Sequence, residues 1–238
     1  MPKLKYNRIL LKIGGESLLG DREYGISPKA AKRVAQEVKQ IQRQGVQVAI
    51  VIGAGNIFRG LSASQQGIER STADYMGMLA TIMNSLALQD ALEKIDVDTR
   101  VQSALDIREV AEPFIRRRAI RHMEKGRVVI LAAGTGSPYF TTDSGAALRT
   151  LELNCQVLMK GTKVDGVYNK DPIKNKDAKR YQTISYLDAI SSASIQVMDT
   201  AAISLCMDNN IPIFVFNLFK DGNLLKAVNG ENIGTVVG

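Results

Sequence analysis

The sequence has no tryptophan, one histidine, two cysteines and 5% aromatic residues, and each shortage closes off a class of protein. Cys155 and Cys206 stand far apart without CxxC spacing, and only His122 could join them. That pattern supports neither a metal cluster nor a disulfide framework, so both cysteines read as small buried hydrophobes. Few aromatics count against a stacking platform for single-stranded nucleic acid. No apolar run approaches the ~18 residues of a membrane span, the longest candidates being stretches such as Val128–Ala133. The opening MPKLKYNRIL lacks the apolar core and cleavage site of a secretory signal, so the cytoplasm is the expected compartment.

What remains is a chain of 238 residues, 45% hydrophobic and 23% charged, the balance of a soluble globular protein. Neither an internal repeat nor a low-complexity linker divides it, and it reads as one domain, 1–238. Its 31 Lys+Arg against 24 Asp+Glu give a formal charge of +7. Such a charge suits nucleic acid or phosphorylated small molecules equally.

Short apolar runs at Arg8–Ile13, Val46–Ile52, Arg127–Ala132, Gln156–Lys160 and Pro212–Phe216 predict strands buried on both faces. Between them Pro28–Gln44, Thr72–Ile95, Pro113–Lys125, Asp143–Leu153 and Thr200–Asn209 predict helices. The alternation predicts an α/β fold with a mainly parallel sheet and helices on both faces. Thr72–Ile95 is apolar nearly all round, with Met76, Leu79, Met83 and Leu86 on one stripe and Met78, Ile82 and Leu88 beyond it. It is expected in the core and under a second subunit. Arg116, Arg117, Arg118, Arg121 and Lys125 read as a solvated helix face, Lys170–Arg180 as a mixed-charge loop and His122 as a surface residue; no nucleic-acid partner is expected.

In an α/β sheet ligands gather where strands end, and here the strand ends are rich in glycine. Lys12-Ile13-Gly14-Gly15-Glu16-Ser17 delivers a lysine and two glycines, suited to a phosphate held by backbone N–H groups and a point charge. Gly53–Gly60 offers a second such turn, with Arg59 as a bidentate cation. Gly134–Asp143 joins glycines and hydroxyls to an acid that opens a helix, and Lys160-Gly161-Thr162-Lys163 makes a fourth junction. The GxxxxGK[ST] loop, the GxGxxG fingerprint and the protein-kinase HRD and DFG motifs are all absent. A phosphoryl transferase of another architecture fits these turns best.

Five stretches carry a resemblance: KIGGES (Lys12–Ser17), IGAGNIFRG (Ile52–Gly60), DYMGMLATIMN (Asp74–Asn84), AGTGSPYFTTD (Ala133–Asp143) and KGTKVDGVYNKDP (Lys160–Pro172). On them the chain resembles, over nearly its whole length, the bacterial-type UMP kinases of the amino-acid-kinase fold family. The resemblance implies a three-layer αβα sandwich, a homohexamer, and transfer of the γ-phosphoryl of ATP to UMP with Mg²⁺. It also implies a place in pyrimidine nucleotide synthesis, activation by GTP and inhibition by UTP. It divides the chain into an N-terminal part serving mainly UMP and the subunit interface and a C-terminal part serving mainly ATP.

Carried onto this sequence, the resemblance implies ATP phosphates over Lys12, Ile13, Gly14 and Gly15, with Gly55 and Arg59 adding contacts. It implies adenosine against Thr162, Tyr168 and Asp171, and UMP against Ala54, Asp74, Thr135, Gly136, Ser137, Pro138, Tyr139, Phe140, Thr141 and Thr142. It suggests an effector-linked segment at Gly20, Asp21, Arg22, Glu23, Tyr24 and Gly25. Lys12, Arg59 and Lys160 are the candidate catalytic cations, Asp143 is expected to hold the lysines in place, and no protein metal site is implied. Four positions depart from the family pattern: Gly14 stands for a common Ser, Ala54 for Gly, Ser137 for Asn and Tyr139 for Phe. Ala54 preserves the turn only if its φ is negative.

Overall fold

The computed structural model describes residues 4–58, 67–192, 195 and 197–238. Arg59 and Gly60 lie outside the described residues. Among the described residues nine strands form one sheet: β1 Arg8–Ile13, β2 Gln47–Ile52, β3 Thr99–Ser103, β4 Glu112–Pro113, β5 Val128–Ala132, β6 Leu158–Thr162, β7 Thr183–Ile184, β8 Ile213–Asn217 and β9 Thr235–Val237. Their order is β4-β3-β5-β2-β1-β6-β8-β9-β7. Every pairing is parallel except β8 with β9, so the expected mainly parallel sheet is present.

Among the described residues seven α-helices cover it: α1 Pro28–Gln42, α2 Arg70–Glu93, α3 Arg116–Glu124, α4 Thr142–Glu152, α5 Tyr186–Ser191, α6 Thr200–Asp208 and α7 Asn223–Val228. α1 starts where Ser27 Oγ accepts the Ala30 amide and Pro28 takes the first turn. It buries Ala31, Val34, Ala35, Val38 and Ile41, one apolar stripe at helical spacing. Val34, Val38 and Ile41 each contribute about 1.5–3 kcal/mol of burial free energy, the two alanines less.

Strand alternation decides which core each residue joins. Ile9, Leu11 and Ile13 of β1 pack with α1, α2 and α7, whereas Leu10 packs with Ala146 and Ala147 of α4. Lys12 shares the parity of Leu10, and Lys160 that of Leu158, which joins the same second core. Successive side chains on a strand point to opposite faces, so both lysines lie on the α4 side of the sheet.

Several expectations need correction. Pro113 lies in β4 rather than in a helix, and α3 begins at Arg116. β6 begins at Leu158, two residues later than expected; ahead of it the Gln156 side chain accepts the amides of Asn7 (2.6 Å) and Arg8 (3.1 Å). His122 is not a surface residue: its side chain is 12% exposed, with Nε2 3.2 Å from Glu112 Oε2 and Nδ1 3.1 Å from Arg127 Nη1. Cys155 and Cys206 are buried, and burial pushes both thiols up to about 12. Among the described residues no helix is long and apolar enough to cross a membrane.

Candidate active site

Lys12 and Lys160 are register partners on the neighbouring strands β1 and β6. Asp143, in the first turn of α4, lies between them: Lys12 Nζ is 2.6 Å from Asp143 Oδ1, and Lys160 Nζ is 2.9 Å from Oδ2. Lys160 also donates to the Val197 carbonyl at 2.5 Å. Burial alone would raise the Asp143 pKa, but the Lys12 and Lys160 charges outweigh it and hold the carboxyl below its ordinary value. Burial pushes Lys160 below the ordinary lysine value, with Lys12 adding to that shift and Asp143 opposing it. Two cations and one anion leave this cluster with net positive charge at the carboxyl edge of the sheet, in the place where such folds bind ligands.

Two glycine turns flank the lysines. Gly14 caps a 3₁₀ turn, Gly15–Leu18, directly after β1, and the Gly53 amide donates to the Ile13 carbonyl at 2.9 Å. A Cβ on Gly15 would meet Asn56 Oδ1 at 2.2 Å and the Gly55 amide nitrogen at 2.7 Å, so the turns touch through their backbones. A Cβ on Gly14 would fall 2.1 Å from both Glu16 carboxylate oxygens, so the Glu16 carboxylate fills the space a serine side chain would need. Ala54 is not among the residues with left-handed backbone, which meets the condition set by the sequence.

Beyond these turns a cavity of about 200 Å³ is lined by Ala54, Arg70, Asp74, Thr81, Thr135 and Phe140, among others. Asp74 Oδ2 accepts from Arg70 Nε and from the Tyr139 amide, both at 2.8 Å. The Arg70 guanidinium also lies 5.4 Å from the Tyr139 ring centroid. Thr141 Oγ1 caps α4 by accepting the amides of Asp143 (3.0 Å) and Ser144 (3.4 Å). Asp199 accepts from the hydroxyls of Thr141 and Ser144, and it caps α6 through the Ala202 amide. A larger open groove of about 850 Å³ follows α1 and reaches Gly20 and Asp21.

A model of the amino acid kinase family matches residues 7–217. The chain belongs to the amino acid kinase family. Among solved structures it is 39% identical to the UMP kinase from Bacillus anthracis, covering 98% of this chain and 96% of that one at a TM-score of 0.93. With the UMP kinase from Ureaplasma parvum the identity is 37%, the coverage 99% and 100%, and the TM-score 0.91. With the uridylate kinase from Archaeoglobus fulgidus the identity is 28%, the coverage 97% and 99%, and the TM-score 0.74.

Within this amino acid kinase fold the remaining sequence-predicted residues spread outward. Thr162 ends β6, its hydroxyl bonded to the Val164 and Phe216 carbonyls at 2.7 and 3.2 Å. Tyr168 bridges to Arg180, and the Asp171 carboxylate accepts the Ile173 amide at 2.9 Å within its own exposed turn. The segment 20–25 is tied at its end to the second glycine turn: the Gly25 amide donates to the Asn56 carbonyl, and Asn56 Nδ2 to the Gly25 carbonyl. Sequence reasoning passed over Arg70, Thr81 and Asp199. Arg70 left a trace in its i,i+4 spacing to Asp74, whereas Thr81 and Asp199 carried no local signal.

Proposed function

We propose that this amino acid kinase transfers the γ-phosphoryl group of ATP to UMP, giving ADP and UDP, in pyrimidine nucleotide synthesis. The observation that carries the reading is the Lys12–Asp143–Lys160 cluster between the two glycine turns and the cavity beside Asp74. The similarity to proteins described as UMP kinases supports it. An oxygen of the UMP phosphate attacks the γ-phosphorus, the bond from that phosphorus to the β–γ bridging oxygen breaks, and its electron pair leaves with ADP. The attacking oxygen is already anionic, so no general base is needed. Charge in the loose transition state lies on non-bridging oxygens, and alignment with positive electrostatics supplies the catalysis.

In this reading Lys12, Lys160 and Arg59 provide the charge and Asp143 positions the lysines. ATP phosphates rest on Lys12, Ile13, Gly14, Gly15 and Gly55, adenosine lies against Thr162, Tyr168 and Asp171, and UMP lies against Ala54, Asp74 and Thr135–Thr142. This is the proposed division into a UMP-binding and interface part and an ATP-binding part.

Among the described residues no group of three or more His, Cys, Asp or Glu gathers for a metal ion. Mg²⁺ carried in by ATP phosphates keeps waters and substrate oxygens, so it calls for no all-protein cage. The Glu16 carboxylate over Gly14 would be its protein-side donor, and bound Mg²⁺ would neutralise phosphate charge.

The exposed Met76, Leu79 and Met83 on α2, 40%, 48% and 55% accessible, support a subunit interface that covers this stripe; the homohexamer is proposed on the resemblance. The tie between Gly25 and Asn56 supports a link from the segment 20–25 to the phosphate turns; activation by GTP and inhibition by UTP, proposed on the resemblance, would act through it. The cytoplasm completes the proposal.

The deciding experiment measures ADP release with Mg-ATP and UMP, CMP, AMP, N-acetylglutamate or aspartate. Turnover with UMP above the others is the expected result. Turnover confined to a carboxylate acceptor would keep the fold and overturn the acceptor.

A further inference from the structure

Five non-glycine residues of the described chain have left-handed backbone: Asp96, Ala133, Tyr139, Asn154 and Asn210. Asp96, Asn154 and Asn210 each follow the end of a helix, where aspartate and asparagine commonly adopt that conformation. Ala133 (φ 62°) and Tyr139 (φ 69°) do not; neither residue type favours it, and both lie in the loop that leads from β5 to α4. Strain of this kind persists only where the surroundings hold it.

Both strained residues are held by the same helix. The Ala133 amide donates to Thr81 Oγ1, and the Tyr139 amide to Asp74 Oδ2, each at 2.8 Å. Asp74 and Thr81 stand about two turns apart on α2, on one face. The Thr81 hydroxyl gives its own proton to the Met78 carbonyl at 2.6 Å, which leaves its lone pairs to the Ala133 N–H. Thr81 is 3% exposed and Ala133 is fully buried, so losing the hydroxyl would leave a buried N–H without its protein acceptor. Gly134 follows with φ 55°, and its Cα and carbonyl carbon lie 3.1 and 3.2 Å from where a Cβ on Gly145 would be, so the chain emerges from Ala133 already pressed against α4.

We infer that Thr81 is a positioning residue: it holds Ala133 in the left-handed kink from which the acceptor loop Thr135–Thr142 projects, and so sets the loop's fit to the nucleoside monophosphate. The inference rests on the acceptor site proposed above. Two readouts test it, one of them independent of the substrate. Hydrogen–deuterium exchange in the ligand-free protein, followed on peptides spanning 133–142, is expected to quicken in Thr81→Val and to stay at the wild-type rate in Thr81→Ser.

With UMP as acceptor, Thr81→Val is expected to raise the UMP KM on the order of tenfold while the ATP KM holds, the scale of one buried donor left unpaired. Thr81→Ser restores it. Adding Ala133→Gly to Thr81→Val recovers part of the loss, because glycine adopts positive φ without help. Should Thr81→Val not fold, Thr81→Ala carries the same expectations. Unchanged loop exchange, an equal rise in both KM values, or no rescue by serine would overturn the inference. A wild-type protein inactive on UMP would overturn the substrate reading instead, with the exchange result still deciding the role of Thr81.

Discussion

Lys12 and Lys160 face one another across adjacent parallel strands, and the Asp143 carboxylate gives one oxygen to each. Like charges directly opposite in a sheet repel, so the pairing needs an anion between them. α4 brings that anion in its first turn, where the helix dipole also favours negative charge.

Asp143→Asn keeps the shape and removes the charge. Near neutral pH it is expected to cost about 3 kcal/mol of stability, because two buried ammonium groups lose their counterion. The folded pKa of Asp143 lies below its unfolded value of about 3.9. Its stabilisation is therefore full above that value and is lost as pH falls through the lower folded pKa. Thermal melts from neutral pH downward should show the gap between wild type and variant closing only in strong acid. A gap that closes already at mildly acidic pH would contradict the depressed pKa.

Lys12→Ala removes charge beside the glycine turns. Turnover is expected to fall about 10²–10³-fold, the scale of losing one transition-state donor, with far-ultraviolet circular dichroism unchanged. A folded variant with near-normal turnover would take Lys12 out of the reaction.

How much of this was legible varied with the residue. The continuous apolar run RILLKI placed β1 without error, but an apolar run buried on both faces does not say which face Lys12 takes; that followed only from the packing of Leu10. β3 reads TRVQS, too polar to suggest a strand, yet Thr99, Gln102 and Ser103 are buried. β4 and β7 are two residues each, below any periodicity. The stripe Met76, Leu79 and Met83 was visible as apolar, but a single chain leaves it exposed, because α1 and the sheet take the opposite face of α2. Asp143 was visible as the acid opening a helix after a strand end, but its role beside Lys12 entered only with the resemblance, since no spacing rule links the two. Ala133 was invisible because alanine gives no sign of positive φ, and Thr81 because a threonine inside a helix looks like filler until its partner is known.

Asp74→Asn is expected to raise the UMP KM on the order of tenfold with little change in the ATP KM. The substitution weakens both the Arg70 pair and the hold on the Tyr139 amide, and each acts on the acceptor side. Initial rates with each substrate varied in turn supply the check. A change confined to the ATP KM would move Asp74 out of the acceptor site.

Lys160 should set the alkaline limit of turnover. Burial, with Lys12 adding to it, lowers its pKa below the ordinary lysine value, so its ammonium is lost earlier than that of a free lysine. Between the lowered folded pKa and the unfolded value near 10.4 the unfolded chain holds the extra proton, so Lys160 makes stability rise with pH there while turnover falls. A kcat profile taken upward from neutral pH should therefore bend down before the ordinary lysine range, without unfolding. Lys160→Arg keeps its charge throughout. It is expected to lower kcat at neutral pH, because a planar guanidinium cannot satisfy both Asp143 and the Val197 carbonyl as the ammonium does, and to remove the alkaline bend. The same bend in both enzymes would assign it to another group.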